Sequence, residues 1–154
     1  MNRKTLLVGI LSIFSFAVFS QNCFDYHKTH CFPKKSNFHY IENNSSVSFL
    51  FSPGDIQEIQ VLFLLGKDYR ITLCADSIFD NIIQLRILNG QGIILYDNSK
   101  QNFNLNLEFS SKKTQNAILE IIAPEIDNKN VNSIDSEGCI GVFIEEMISI
   151  KTGF

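Results

Sequence analysis

The chain has 154 residues, 45% of them hydrophobic and 19% charged, with a formal net charge of −3. Such a length makes one domain and is enough to bury a core. Thirteen Lys and Arg against sixteen Asp and Glu exclude a surface built for nucleic acid, whose affinity rests on clustered basic side chains.

Asn2-Arg3-Lys4 is a short positive stretch. Thr5 to Phe19 follows without a charge and is rich in Leu, Ile, Val and Phe, and Val18 and Ser20 then precede Gln21 at the spacing of a cleavage site. This three-part pattern predicts a secretory signal peptide over residues 1–20. The apolar run is about 15 residues, short of the ~20 that a spanning helix needs, so membrane contact is expected only through the signal before cleavage. A lipid anchor at Cys23 is disfavoured, because Ser20-Gln21-Asn22 lacks a small residue just before the cysteine. Removing the signal takes Arg3 and Lys4, which leaves eleven basic residues against sixteen acidic ones. The expected location is the periplasm or the extracellular space.

Residues 21–45 form a separate N-terminal segment with Cys23 and Cys31; Cys74 and Cys139 lie in the domain that follows. In an exported protein an even number of cysteines reads as disulfides rather than metal or redox chemistry. Four cysteines allow three connectivities. The expected pairs are Cys74–Cys139, within the sheet framework, and Cys23–Cys31. Residues eight apart on a continuous helix are separated by about 12 Å along its axis, more than a disulfide spans. The second pair therefore requires a non-helical segment, or those thiols pair elsewhere. Cys23, His27, His30 and Cys31 also make a C-x3-H-x2-H-C pattern. Four ligands within nine residues strain tetrahedral zinc geometry, so His27 and His30 are read as solvated side chains of a short turn or helix, and His39 sits in no recognisable metal or triad pattern.

The domain is expected over residues 46–154, where apolar residues recur with a period of two. Val47, Phe49 and Phe51 alternate with polar or smaller neighbours, as do Tyr69, Ile71 and Leu73, then Ile83, Leu85 and Ile87, and most clearly Phe103, Leu105, Leu107 and Phe109. Each is a strand with one apolar face. Ile59 to Leu65, Ala117 to Ala123 and Ile140 to Ile150 are more continuously apolar and read as central strands covered on both faces or nearly so. Between them lie Pro53-Gly54-Asp55, Gly66-Lys67-Asp68, Asn89-Gly90-Gln91-Gly92, Asp97-Asn98-Ser99, Pro124 and the polar stretch Asp127 to Glu137. About eight short strands with frequent turns predict an all-β, antiparallel β-sandwich, jelly-roll-like or Ig-like, with a short disulfide-tethered N-terminal segment.

Phe51-Ser52-Pro53-Gly54-Asp55, Gly66 to Asp76, Leu95-Tyr96-Asp97-Asn98, Gly138 to Val142 and Lys151-Thr152-Gly153-Phe154 together resemble uncharacterised exported β-sandwich proteins of Bacteroides-type bacteria over most of residues 45–154. The resemblance implies placement in the periplasm or at the cell surface and no catalytic residues. More loosely, the Tyr-Arg-Ile strand and the later Leu-Tyr-Asp-Asn turn are similar to pre-peptidase C-terminal and CUB-like accessory domains, an analogy at the level of fold.

No nucleophile elbow is present. Ser110-Ser111-Lys112-Lys113 contains S-x-x-K, but between two strands rather than at the start of a helix, as a Ser/Lys pair would require. Glu145 and Glu146 are adjacent on a strand and point to opposite faces, so they do not form an acid/base pair and read as a solvated edge. Asp76, Asp80 and Asp97, with Asn98, are oxygen donors near turns and are the calcium candidates, although Asp and Asn favour turns for backbone reasons alone. No cofactor is expected. The function expected is a non-catalytic binding or structural module of the envelope, with an envelope protein or glycan as partner. The alternative is a small secreted hydrolase whose polar groups gather in a cleft.

Overall fold

In the computed structural model the described residues are 23–33, 39–125 and 137–147. The predicted signal peptide lies outside them. A five-residue helix α1 (Tyr26–His30) precedes nine strands: β1 (Tyr40–Glu42), β2 (Val47–Phe51), β3 (Ile56–Phe63), β4 (Asp68–Ala75), β5 (Gln84–Asn89), β6 (Ile94–Asp97), β7 (Asn106–Ser110), β8 (Gln115–Ile122) and β9 (Gly138–Met147). One sheet has the order β1-β9-β4-β7, with β2 also pairing β9, and the other has the order β3-β8-β5-β6. Every pairing is antiparallel. The architecture is the antiparallel β-sandwich that the alternation predicts.

The inward sets meet in one core. Phe51, Val61, Phe63, Tyr69, Ile71, Leu73, Leu85, Ile87, Leu119, Ile121, Val142 and Ile144 are all buried in it. Phe63, Tyr69 and Phe109 pack ring against ring, with centroids 4.8 to 5.7 Å apart, the offset and edge-on spacings that aromatic quadrupoles favour.

β1 and β2 are two halves of one edge strand against β9. Tyr40 to Glu42 pair with Met147 to Glu145, and Val47 to Phe51 pair with Val142 to Gly138. At the break the Ser46 hydroxyl accepts from the Ile144 N–H at 2.9 Å and donates to the Ile144 carbonyl at 3.0 Å, and Asn43 N–H donates to that carbonyl at 2.8 Å. Side-chain oxygen thus replaces the missing ladder, as buried backbone groups require.

Two strand expectations are corrected. Ile59 to Leu65 is not central: β3 is the edge of its sheet, and Leu62 and Leu65 are 51% and 65% exposed. Its apolar character is spent on an open edge rather than on two covered faces. The strand expected over Phe103 to Phe109 begins only at Asn106, because Phe103 turns in the left-handed region at φ 52°. Gly66-Lys67-Asp68 turns the chain between two strands as expected, and the turn joins one sheet to the other. Asn89 to Gly92 makes a hairpin, with Arg86 paired to Asp97 and Ile87 to Tyr96.

β9 is buried along most of its length on both faces, because α1 lies over its outer side. The five residues of α1 are too few to be helical alone. Disulfides Cys23–Cys139 and Cys31–Cys74 fasten both ends. The expected pairing is therefore wrong, although all four cysteines are bridged. Cys74 stands opposite Gly141, so Cys139 is its diagonal neighbour on the same face, a separation of about 7–8 Å that exceeds disulfide reach. α1 intervenes and gives each strand cysteine its own partner.

Candidate functional site

Both cysteines of the C-x3-H-x2-H-C pattern are consumed in disulfides. His27 is buried beneath α1 rather than solvated as expected. Ser48 Oγ accepts from the His27 backbone N–H at 2.8 Å and contacts His27 Nδ1 at 2.7 Å. His27 Nε2 faces Glu42 Oε1 at 3.4 Å. These residues border a surface cavity of about 400 Å³. A serine, a histidine and a carboxylate in line suggest nucleophilic catalysis, but the serine is poorly placed for it. One Oγ lone pair is already taken by the His27 backbone N–H, which ties the hydroxyl to the start of α1 as a structural acceptor. Ser48 acts as a clamp that docks α1 onto β2. The sequence carries no motif for this group, whose members are spread over 21 positions.

The calcium candidates are dispersed. Asp76 follows β4, where Oδ1 accepts from the Tyr26 hydroxyl at 2.9 Å and Oδ2 from the Cys139 N–H at 2.6 Å. Asp80 ends a 3-10 turn at φ 47°, in the left-handed region. Asp97 accepts from Ser99 N–H and Gln84 Nε2, both at 3.0 Å. Burial of the Asp97 carboxyl works to raise its pKa, but those bonds and Arg86 together hold it below the usual value. Asn98 is fully buried and joins Leu85 N–H to the Ile83 and Asn104 carbonyls. Among the described residues no group of three or more His, Cys, Asp or Glu is placed to hold a metal.

Glu145 and Glu146 diverge as expected, but Glu145 is not solvated. Glu145 Oε2 accepts from Arg70 Nε at 2.7 Å, both side chains are under 10% exposed, and the Tyr40 ring covers the guanidinium at 4.2 Å. The Glu145 bond chiefly holds the Arg70 pKa above its ordinary value. Arg70 stands opposite Glu145 on one side and Glu108 on the other. Arg86 repeats the arrangement on the second sheet, opposite Asp97 and Glu120. Each outer face thus carries an arginine between cross-strand carboxylates.

The residues around the S-x-x-K match border a different feature. Where β7 crosses to β8, the two sheets part into a cleft of about 480 Å³. Ile87, Leu95 and Tyr96 line it from the β5–β6 hairpin, Leu107 and Phe109 from β7, and Phe63 from β3. Ser110 to Lys113 and Gln115 complete the lining. The Ser111 hydroxyl donates to the Lys113 carbonyl at 2.8 Å, and the Ser110 hydroxyl to Asp68, so neither serine is paired with a lysine amine. Gln115 Oε1 is buried without a hydrogen-bond partner among the described residues. Beside the cleft, Ile93, Ile94 and Leu95 are 57%, 49% and 50% exposed, the last two on β6, whose outer side has no neighbour among the described strands. The alternation of Leu107 and Phe109 in β7 was legible, but β6 shows none and the cleft depends on how the two sheets diverge.

No family model matches the chain, and no curated protein matches it. Among solved structures it is similar to Aeromonas hydrophila PliG, a periplasmic lysozyme inhibitor of g-type lysozyme, with 7% identity, a TM-score of 0.47 and coverage of 75% of this chain and 92% of that one. A similarity at that level carries no argument about activity.

Proposed function

We propose that this chain is an exported, non-catalytic binding module of the cell envelope, and that the cleft between the β6 and β7 edges is its binding site. The observation that carries the reading is a cleft of about 480 Å³ with the exposed Leu95 in its lining and the exposed Ile93 and Ile94 next to it in sequence. That volume lies in the range of ligand pockets, and contiguous exposed apolar surface marks interaction sites. The export half of the proposal is supported by the signal-like N-terminus and by two disulfides, which persist in oxidising compartments. Among the described residues no helix is long and apolar enough to cross a membrane. The apolar lining weighs against a glycan, whose hydroxyls would go unpaired there.

A photo-crosslinking residue placed at Leu95 and irradiated in the native envelope tests the proposal. A discrete adduct from position 95, with none from the same probe at the exposed Glu58 on the β3 edge, is expected. Equal adducts at both positions, or none at 95, would overturn it.

A further inference from the structure

We infer that the cleft takes a free long-chain monocarboxylate, its acyl chain lying between the two sheets and its carboxylate at Lys112 and Lys113. The inference rests on the cleft being the binding site and names its occupant.

The cleft is polar at one end and apolar along its walls. Ile87 from one sheet and Leu107 and Phe109 from the other face an occupant, with buried Phe63 among the lining residues. A slot of this kind loses nothing by accepting methylene groups, which gain by leaving water. No Asp or Glu lines it. Lys112 and Lys113 are exposed and have no ion-pair partner among the described residues. An anionic head is therefore favoured over a neutral or cationic one.

Gln115 points to a ligand independently. Its Oε1 is buried and unpartnered among the described residues, and a buried amide without a partner is costly. Gln115 lines the cleft next to the two lysines, and a rotation of its side chain that carried Nε2 into the cleft would let it donate to a carboxylate oxygen. The neighbouring hydroxyls of Ser110 and Ser111 are already engaged, so the lysines and Gln115 form the head-group end. The size fits one chain, since pockets of a few hundred Å³ hold single small ligands. A membrane surface is a poorer occupant, because anchoring to anionic lipid takes a cluster of basic side chains and this chain carries a net charge of −3.

Calorimetric titration of the disulfide-intact protein with octanoate, decanoate and dodecanoate, kept below micelle formation, tests the inference. Affinity is expected to rise about four-fold per methylene. Decanoate should bind at least ten-fold more tightly than decanol or decyltrimethylammonium. The exposed double substitution Lys112→Gln and Lys113→Gln should remove that preference and leave decanol binding unchanged. Equal affinities for the three head groups, or no binding of dodecanoate, would overturn the inference. If the adduct at position 95 still forms while dodecanoate does not bind, the cleft stands as the binding site and only its occupant is wrong. If neither occurs, both readings fall.

Discussion

Gly141 lies beneath the sulfur of Cys31: a Cβ at position 141 would stand 3.0 Å from Cys31 Sγ, and 2.8 Å from both Cys74 Sγ and the His27 Cα. The absence of a side chain at this point of β9 lets α1 seat on the sheet and lets one disulfide cross above it. Gly141→Ala should push α1 and the Cys31–Cys74 bridge off the sheet at a cost of about 1–3 kcal/mol, the usual range for overpacking. Chemical denaturation of the oxidised protein checks this. An unchanged midpoint would show that α1 is not seated on β9.

The Arg70–Glu145 pair should behave as a buried ion pair. Arg70→Ala leaves a buried carboxylate uncompensated and removes the cation beneath Tyr40, for an expected loss of about 3–5 kcal/mol. The joint replacement Arg70→Met with Glu145→Leu should recover most of it, because a well-packed apolar pair avoids the desolvation of two charges. Equilibrium unfolding of both variants is the measurement. If the single variant loses under 1 kcal/mol, as for exposed pairs, the burial described for this pair is wrong.

The outline of the sandwich was legible because each strand buries one face, and burial writes a period of two into Tyr69-Ile71-Leu73 and Leu107-Phe109, whereas Phe103 and Leu105 carry the same spacing ahead of the strand. What the period does not encode is partnership. Ile59 to Leu65 was misread as central because an apolar edge and a doubly covered strand look alike in one dimension. β1 was missed because Tyr40 to Glu42 is three residues long, too short to show alternation. The disulfide pairs were misassigned because Cys74 and Cys139, on neighbouring strands, were expected to bond to each other, whereas register makes them diagonal and each bonds to a cysteine of the N-terminal segment. Glu145 was read as solvated because its arginine is 75 positions away. The cleft has no local signal, since its walls come from both sheets.

All four tyrosines have pKa values raised above 10.0. Burial is the first cause for each, and for Tyr26 the bond to Asp76 and that carboxylate's charge add to it. A raised phenol pKa means that the folded state favours the neutral form. The corresponding stability is fully present below pH 10 and is lost as pH rises through the higher folded values. Melting temperature should therefore be insensitive to these groups near neutrality and fall from about pH 10 upward. Tyr26→Phe should be less stable at pH 7 by about 1 kcal/mol, the worth of a hydrogen bond, and show a shallower alkaline fall. A fall as steep as in the parent protein would show that Tyr26 is not held by Asp76.

Ser48 separates a clamp from a nucleophile. Ser48→Ala removes the acceptor of the His27 N–H and the partner of Nδ1, and should lower stability by about 1–3 kcal/mol. It should leave hydrolysis of small activated esters at the level of the parent protein. An esterase activity in the parent that vanishes with this substitution would establish the hydrolase instead.

Two tethers hold the N-terminal segment against the outer face of the β9–β4 ladder, and the placement of α1, His27 and the Arg70 face depends on them. They close loops of 116 and 43 residues, contributions of about 4–5 kcal/mol each on the chain-entropy model before strain or overlap of the loops. Peptide mapping of the exported, unreduced protein tests this most directly. Fragments joined as Cys23–Cys139 and Cys31–Cys74 are expected; recovery of Cys74 joined to Cys139, or of free thiols at all four positions, would contradict the fold described.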